Sequence, residues 1–281
     1  MYCDTHVHFD EYNGEAGIES TITRALAVDV SGIVAVGGSI DCNALAIEAA
    51  KLFPETVCVA LGFDRNYATR FSHDVSSVRD LLNDEIEKAL SNSVSVAAIG
   101  EIGLDFYYSA DTAESQIALM REQCAVAEDR GLPIIVHSRD AEEATIAELN
   151  RYVEKASCPD RAGVLHCFTG DEQFARCILD MGLYVSFSGI VTFANASSVR
   201  AAVSVVPDNR LLIETDSPYL APVPLRGHRN EPAYIVHVAE TLAQIRGCSV
   251  VDIARITLQN ARNLFGIDIN QNSTRKASWL S

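Results

Sequence analysis

The hydrophobic positions along the chain form short runs, rich in β-branched residues, that alternate with longer amphipathic stretches. Short apolar runs bounded by polar turns are typical of buried strands, whereas the longer stretches repeat with helical spacing. The predicted strands are residues 2–7, 32–36, 56–61, 94–99, 133–136, 163–165, 183–187 and 211–215. The pattern therefore predicts eight strand–helix units in one chain.

The amphipathic stretches predict helices between and after these strands. They are residues 43–52, 78–90, 113–130, 141–155, 172–181 and 199–205, followed by 233–246 and 250–265. Gly266 is placed to cap the last helix, because glycine is the usual residue just beyond a helix C-terminus.

Eight consecutive units favour a closed parallel barrel, the TIM (β/α)8 fold of the α/β class, over an open doubly wound sheet. The count matches, and no glycine-rich GxGxxG turn follows the first strand. We predict a single barrel domain over residues 1–267, because barrels of about 250 residues are routinely one domain. Residues 268–281 are predicted to form a polar C-terminal tail.

Charge narrows the range of partners. The chain has 22 basic and 38 acidic side chains, a formal net charge of −16. This excess disfavours long-range attraction of nucleic acid or of an anionic membrane. Phosphate chemistry in such a protein requires a local positive charge, which a bound metal ion can supply.

The cysteines and the apolar runs bear on the cellular compartment. Eight cysteines are spread along the chain without a CxxC pair, as reduced thiols are. The N-terminal segment is polar and acidic from Asp4 onward, unlike the basic and then apolar pattern of a signal peptide. No apolar stretch approaches the roughly 20 residues of a membrane span. We expect a cytoplasmic protein with no membrane association and no obligate protein partner.

Histidines and carboxylates collect at the ends of the predicted strands. They are His6 and His8 after the first strand, Glu101 after the fourth, His137 after the fifth, His166 after the sixth and Asp216 after the eighth. The C-terminal ends of barrel strands surround one mouth, so these side chains are expected to converge there. One such histidine alone is more typical of a core residue, but six such residues together favour a metal site.

The ligand types favour two cations over one. Imidazole and carboxylate suit Zn²⁺ or another first-row divalent ion, and Mg²⁺ where carboxylate and water dominate. Four histidines and two carboxylates exceed what one catalytic ion normally takes, so we predict two divalent ions, Zn, Mg or Mn. Some barrel hydrolases bridge their two metals with a carbamylated lysine, but the lysines of this chain lie in helical stretches or in the tail. Glu101 is therefore the predicted bridge.

Two further carboxylates are predicted to support the ligands. Asp4 and Glu214 share strand parity with His6 and Asp216, so they should also face inward, one layer lower. A buried carboxylate needs a partner. We interpret both as hydrogen-bonding support for metal ligands, with a plain hydrogen bond inside the barrel as the alternative.

These residues lie in segments that resemble the TatD-type metal-dependent deoxyribonucleases of the amidohydrolase superfamily. The segments are residues 4–8 (DTHVH), 100–105 (GEIGLD), 135–140 (IVHSRD), 165–170 (LHCFTG), 214–220 (ETDSPYL), 226–232 (RGHRNEP) and 260–266 (NARNLFG). They follow the order of the family and cover almost the whole chain.

The resemblance implies a ligand scheme and a reaction. One metal would be held by His6, His8, Glu101 and Asp216, and the other by Glu101, His137 and His166. The implied reaction is hydrolysis of DNA phosphodiesters by water that the metals acidify. Glu101 and Asp216 are the predicted catalytic residues, with Asp216 orienting the water and taking its proton.

The chain departs from the family pattern at two places. Gly62-Phe-Asp-Arg65 stands where the family usually has Gly-x-His-Pro, and His228 replaces a basic residue. Neither place supplies a ligand in the scheme above. Arg65 is expected to be an ordinary surface arginine, with replacement of the missing polar contact to substrate as the alternative.

Arg139, Arg226 and Arg229 are predicted to bind substrate phosphate on loops above the mouth, with exposed ion pairs as the alternative. The acidic surface favours a 3′–5′ exonuclease acting on single-stranded or frayed DNA ends.

Two other functions stay open. One is an amide or ester hydrolase of the same superfamily, for example on aminoacyl esters of nucleic acid. The other, less favoured because no ligand is missing, is a non-enzymatic scaffold.

Overall fold

The computed structural model describes residues 1–12, 14–70, 75 and 77–267, and the predicted tail lies outside them. Eight parallel strands follow one another around a barrel in chain order, which confirms the predicted fold. The strands are β1 (Tyr2–Val7), β2 (Val30–Gly38), β3 (Val57–Phe63), β4 (Val96–Asp105), β5 (Ile134–Arg139), β6 (Gly163–Leu165), β7 (Tyr184–Phe187) and β8 (Leu211–Ile213).

Helices surround this barrel and connect its strands. They are α1 (Gly14–Ala27), α2 (Ile40–Leu52), α3 (Ser77–Ser91), α4 (Phe106–Ser109), α5 (Ala113–Arg130), α6 (Glu142–Val153), α7 (Glu172–Asp180), α8 (Ser197–Val205), α9 (Ile235–Arg246) and α10 (Val250–Phe265). All eight predicted helices are present, while α1 and the single turn α4 are additional. Gly266 caps α10 as predicted, with φ of 66° and its N–H donating to Arg262 O. None of the helices in the described ranges is long and apolar enough to cross a membrane.

The barrel closes where the last strand returns to the first. Val7 forms a parallel bridge with Ser217. The backbone N–H of Asp216 donates to His6 O at 3.1 Å, and that of His8 donates to Ser217 O at 2.8 Å. Closure therefore brings the chain that follows β8 beside the histidines at the end of β1.

An apolar cluster closes the opposite end of the barrel. Leu258, Leu264 and Phe265 of α10 pack in one buried cluster with strand residues that include Cys3 and Ile135. These positions lie toward the N-terminal ends of the strands, where α10 packs against β1 and β8. The polar side chains consequently collect at the other end, the mouth.

Four strands, β2 to β5, extend further toward the mouth than the sequence pattern predicted, and two of them carry predicted metal ligands. β4 continues to Asp105 and β5 to Arg139, so Glu101 and His137 lie within strands rather than after them. The glycines of the β4 segment look like strand breakers, but Gly103 pairs with His137 in the ladder. A Cβ atom at Gly103 would lie 2.1 Å from His137 O. Glycine is needed here because the two backbones approach so closely.

Candidate metal centre

The six residues predicted as metal ligands converge at the mouth, with the carboxylate of Glu101 at their centre. Glu101 Oε2 lies 3.4 Å from both His6 Nε2 and His8 Nε2. Glu101 Oε1 lies 3.4 Å from His166 Nε2 and 3.3 Å from His137 Nδ1. Each carboxylate oxygen thus faces a different pair of histidines.

Asp216 lies on the same side as the first pair. Its Oδ1 is 3.8 Å from His8 Nε2 and 4.0 Å from His6 Nε2. The backbone of Asp216 has a φ of 56°, in the left-handed region that non-glycine residues seldom adopt. This strained backbone is held by the hydrogen bond to His6 O and aims the side chain into the mouth.

Two overlapping sets of side chains have the spacing of cation ligands. His6, His8 and Asp216 form one set, and His6, Glu101 and His166 form the other. Within each set, one ligand atom per residue lies within 4.8 Å of the others. The rings of His6 and His166 stack with centroids 3.8 Å apart, which holds the two sets side by side.

Backbone and carboxylate partners orient two of the rings. His8 Nδ1 lies 3.2 Å from Val36 O, which can only accept, so Nδ1 carries a proton and Nε2 is the nitrogen that faces Glu101. His166 Nδ1 lies 3.3 Å from Glu214 Oε1. That oxygen also accepts a hydrogen bond from the backbone N–H of Cys167 at 2.6 Å. Glu214 therefore contacts His166 from below.

Asp4 is fully buried one layer below the mouth and acts on the backbone. It accepts hydrogen bonds from Thr215 Oγ1 at 2.6 Å, Thr215 N at 2.9 Å and His6 N at 3.3 Å. Burial raises the pKa of Asp4 to about 8, against the effect of these hydrogen bonds. Asp4 thus ties β1 to the segment after β8 and fixes the backbone positions of His6 and Asp216.

The structure adds one carboxylate that the sequence reasoning missed. Asp105 is 1% exposed, and its Oδ2 lies 3.4 Å from His137 Nε2. Arg65 Nε lies 3.2 Å from the same oxygen. Arg65 was expected at the surface, but it is half-buried and paired with Asp105. Asp105 could be recognised in the sequence by strand parity, since residues 101, 103 and 105 face one side of a strand that continues past Gly103.

Asp64, which belongs to the same departure from the family pattern as Arg65, lies beside this pair. Asp64 caps the turn Arg65–Tyr67, and its carboxylate accepts from Asn66 N and Asn66 Nδ2, both at 2.8 Å. Burial and the nearby Glu101 raise the pKa of Asp64. His228 is exposed on the loop after β8.

The charges of the centre are strongly coupled. Burial favours a neutral Glu101, but His166, His6 and His8 outweigh it and hold the pKa of Glu101 well below its usual range. Burial likewise disfavours a charged His166, but Glu101 and Glu214 raise the pKa of His166 well above its usual value. Burial and the neighbouring His166 lower the pKa of His6 to about 3. Burial raises the pKa of Asp216 to about 6, against the attraction of His166 and His8.

The buried polar atoms of the centre fit a cation. Among the described residues, His166 Nε2, which lies 3.4 Å from Glu101 Oε1, is buried without a hydrogen bond of good geometry. Unsatisfied buried polar atoms are costly and uncommon. Imidazole nitrogens that converge with carboxylate oxygens are the donor set of Zn²⁺ and related divalent ions.

The three predicted substrate arginines all contact aromatic rings. The guanidinium carbon of Arg139 lies 3.9 Å from the ring centroid of Tyr107, and that of Arg226 lies 3.6 Å from the centroid of Phe193. Arg229 lies 5.2 Å from the ring of Tyr12 and donates to Glu11 O. Within the described ranges none of the three forms an ion pair, so the exposed ion pairs considered as the alternative are absent there.

Fold and site together define a metal-dependent hydrolase with a TIM barrel. A family model described as "TatD related DNase" matches residues 3–266. The chain therefore belongs to the TatD family of metal-dependent hydrolases, within the amidohydrolase superfamily.

Relatives match over nearly the full length of the chain. The "uncharacterized metal-dependent hydrolase" YabD of Bacillus subtilis is 37% identical over 270 residues, which cover 95% of this chain and 100% of that protein. YcfH of Escherichia coli K12, with the same description, is 38% identical over 95% of this chain and 97% of its own. The crystal structure of YJJV, a TatD homologue from Escherichia coli K12, superposes with a TM-score of 0.82 at 27% identity, over 95% of this chain and 98% of that one.

Proposed function

We propose that the protein is a deoxyribonuclease that removes nucleotides from the 3′ end of single-stranded or frayed DNA. The observation that carries this proposal is the position of Glu101, whose two carboxylate oxygens each face a separate histidine pair. A carboxylate shared in this way suits two cations side by side, the arrangement of many enzymes that cleave phosphodiesters. The family description, which names a DNase, supports the same reaction.

The residues divide into two ligand sets in this proposal. The first cation would be held by His6, His8, Glu101 and Asp216, and the second by Glu101, His137 and His166. Divalent ions, Zn, Mg or Mn, would supply positive charge for the phosphate oxygens and make a water molecule more acidic. This local charge is what a protein of net charge −16 needs in order to accept a phosphodiester.

The side chains of the centre perform the remaining steps. Asp216 accepts the proton of the attacking water, because its carboxylate lies at the mouth and has a second oxygen besides the Oδ1 that faces His6 and His8. Glu101 keeps its negative charge between the histidines and holds the two sets in register. Glu214, Asp105 and Val36 O fix the orientation of His166, His137 and His8.

Single-stranded DNA labelled at its 5′ end tests the proposal. Protein stripped of metal with a chelator receives Mg²⁺, Mn²⁺ or Zn²⁺ in turn, and His137→Ala serves as the contamination control. A metal-dependent ladder of shortening products, absent in the variant, is the expected result. Equal inertness of both proteins with every metal, or equal activity, would contradict a nuclease. A parallel panel of amide and ester substrates, including aminoacyl esters, identifies an acyl hydrolase on the same centre.

A further inference from the structure

Two large aromatic side chains are exposed at the rim of the mouth, beside the metal centre. Tyr107 and Tyr108 lie in α4, directly after β4, and are 58% and 65% exposed. Their rings meet edge to face, with centroids 4.8 Å apart and planes at 90°. Tyrosine rings with so much open surface are unusual in the described part of the chain, where most aromatic residues are buried or half-buried.

Two arginines lie over these rings. The guanidinium carbon of Arg139 is 3.9 Å from the centroid of Tyr107 and 4.9 Å from that of Tyr108. The guanidinium carbon of Arg65 lies 5.8 Å from the ring of Tyr108. Arg65 is paired with Asp105, but Arg139, although half-buried, forms no ion pair with any described residue. The group of side chains therefore carries one unneutralised positive charge in a strongly acidic protein.

The strands connect this group rigidly to the metal centre. Asp105 pairs with Arg139 in the ladder between β4 and β5, two residues beyond the pair of Gly103 and His137. Asp105 also contacts His137 directly, as described above. A ligand that covers the rings is thus held within reach of the side chains that face Glu101.

We propose that Tyr107, Tyr108 and Arg139 form a platform for the unpaired end of single-stranded nucleic acid, an inference that rests on the proposed nuclease function. The rings stack on unpaired bases, and the guanidinium of Arg139 contacts a backbone phosphate. Stacking on aromatic side chains next to a positive charge is how proteins bind single strands without sequence preference. Paired bases are already stacked within the duplex, so the platform selects unpaired ends.

Equilibrium binding tests the platform without catalysis. The probe is fluorescein-labelled oligothymidylate with cleavage-resistant phosphorothioate linkages, titrated with metal-loaded protein and followed by fluorescence anisotropy at fixed low salt. The double variant Tyr107→Ala/Tyr108→Ala is expected to bind more weakly, with a Kd raised by about 5- to 150-fold. The matched variant Tyr107→Phe/Tyr108→Phe keeps both rings and is expected to bind as the wild type does. The same oligothymidylate annealed to its complement should bind more weakly and respond little to the alanine substitutions.

The outcomes separate the platform from the nuclease. Unchanged binding of the single strand by the alanine variant overturns the platform, even if the wild type degrades DNA. Ring-dependent binding by a wild type that cleaves no DNA with any metal keeps the platform and refutes the nuclease. If wild type binds duplex as tightly as the single strand, selection of unpaired ends is wrong.

Discussion

Asp105 Oδ2 lies 3.4 Å from Nε2 of His137, while Nδ1 of the same ring lies 3.3 Å from Glu101. The two nitrogens of His137 thus face two carboxylates. If Asp105 accepts the Nε2 proton, the lone pair of Nδ1 is directed to the centre.

The first prediction concerns this contact. Asp105→Asn should lower metal affinity by roughly 10- to 100-fold, the usual effect of removing a carboxylate that orients a histidine ligand. Asp111→Asn, in the exposed turn before α5, is the control and should bind metal normally. Calorimetric titration of the metal-free proteins with Zn²⁺ measures both, and equal affinities would contradict the orienting role.

The second prediction concerns the shared carboxylate. Glu101→Gln keeps the shape of the side chain but removes the charge between four histidines, so metal retention and hydrolase activity should fall by more than about 100-fold. Glu114→Gln, at the exposed start of α5, is the matched control. Metal content after dialysis, read by mass spectrometry, gives the answer. A Glu101→Gln protein that retains as much metal as the control would rule out the bridging role.

The third prediction concerns pH. The raised pKa of His166 favours its imidazolium form in the metal-free protein, and metal binding must displace one of the two ring protons. Metal affinity should therefore rise as pH increases through the pKa of His166, and it should decrease as pH is lowered through that pKa. His6, with a pKa of about 3, adds no dependence near neutrality. Zn²⁺ titrations at pH 7, in buffers of different ionisation enthalpy, should show release of protons, and zero release would contradict the coupling.

The same pKa shift has a consequence for the stability of the metal-free fold. A histidine whose pKa is raised on folding contributes stability that is complete below its unfolded pKa of about 6.5 and is lost as pH rises through the folded pKa. This contribution of His166 thus acts in the opposite direction to metal affinity. Urea unfolding of chelated protein across pH measures it.

The fourth prediction concerns the close approach of β4 to β5. Gly103→Ala would place a Cβ atom 2.1 Å from His137 O at a φ of 134°, so the free energy of unfolding should fall by at least about 3 kcal/mol. Gly247→Ala also meets a positive φ, 64°, but has open space around it, and should cost only about 1–2 kcal/mol. Urea unfolding measures the free energy of unfolding of both variants. Equal decreases would show that the close contact with His137 O is not what destabilises Gly103→Ala.

The periodicity of the chain was enough to predict the fold. Apolar runs of three to six residues and helical stretches are local patterns, and all eight strands are present in the predicted order. Boundaries were less well predicted, because Gly100 and Gly103 resemble the end of a strand when no neighbour is known. The partner strand explains them, since only glycine fits where β4 meets the backbone of β5.

The sequence by itself determined which chemistry the mouth contains, because residue types and their positions relative to the strands are properties of the chain alone. His6, Glu101 and Asp216 are far apart in sequence, yet the rule that strand ends share one mouth places them together. Only the tertiary structure decided which atoms meet. The division of the Glu101 oxygens, the contact of Asp105 with His137 and the pairing of Arg65 depend on register and barrel closure, which set distances within an ångström and leave no mark on a local pattern.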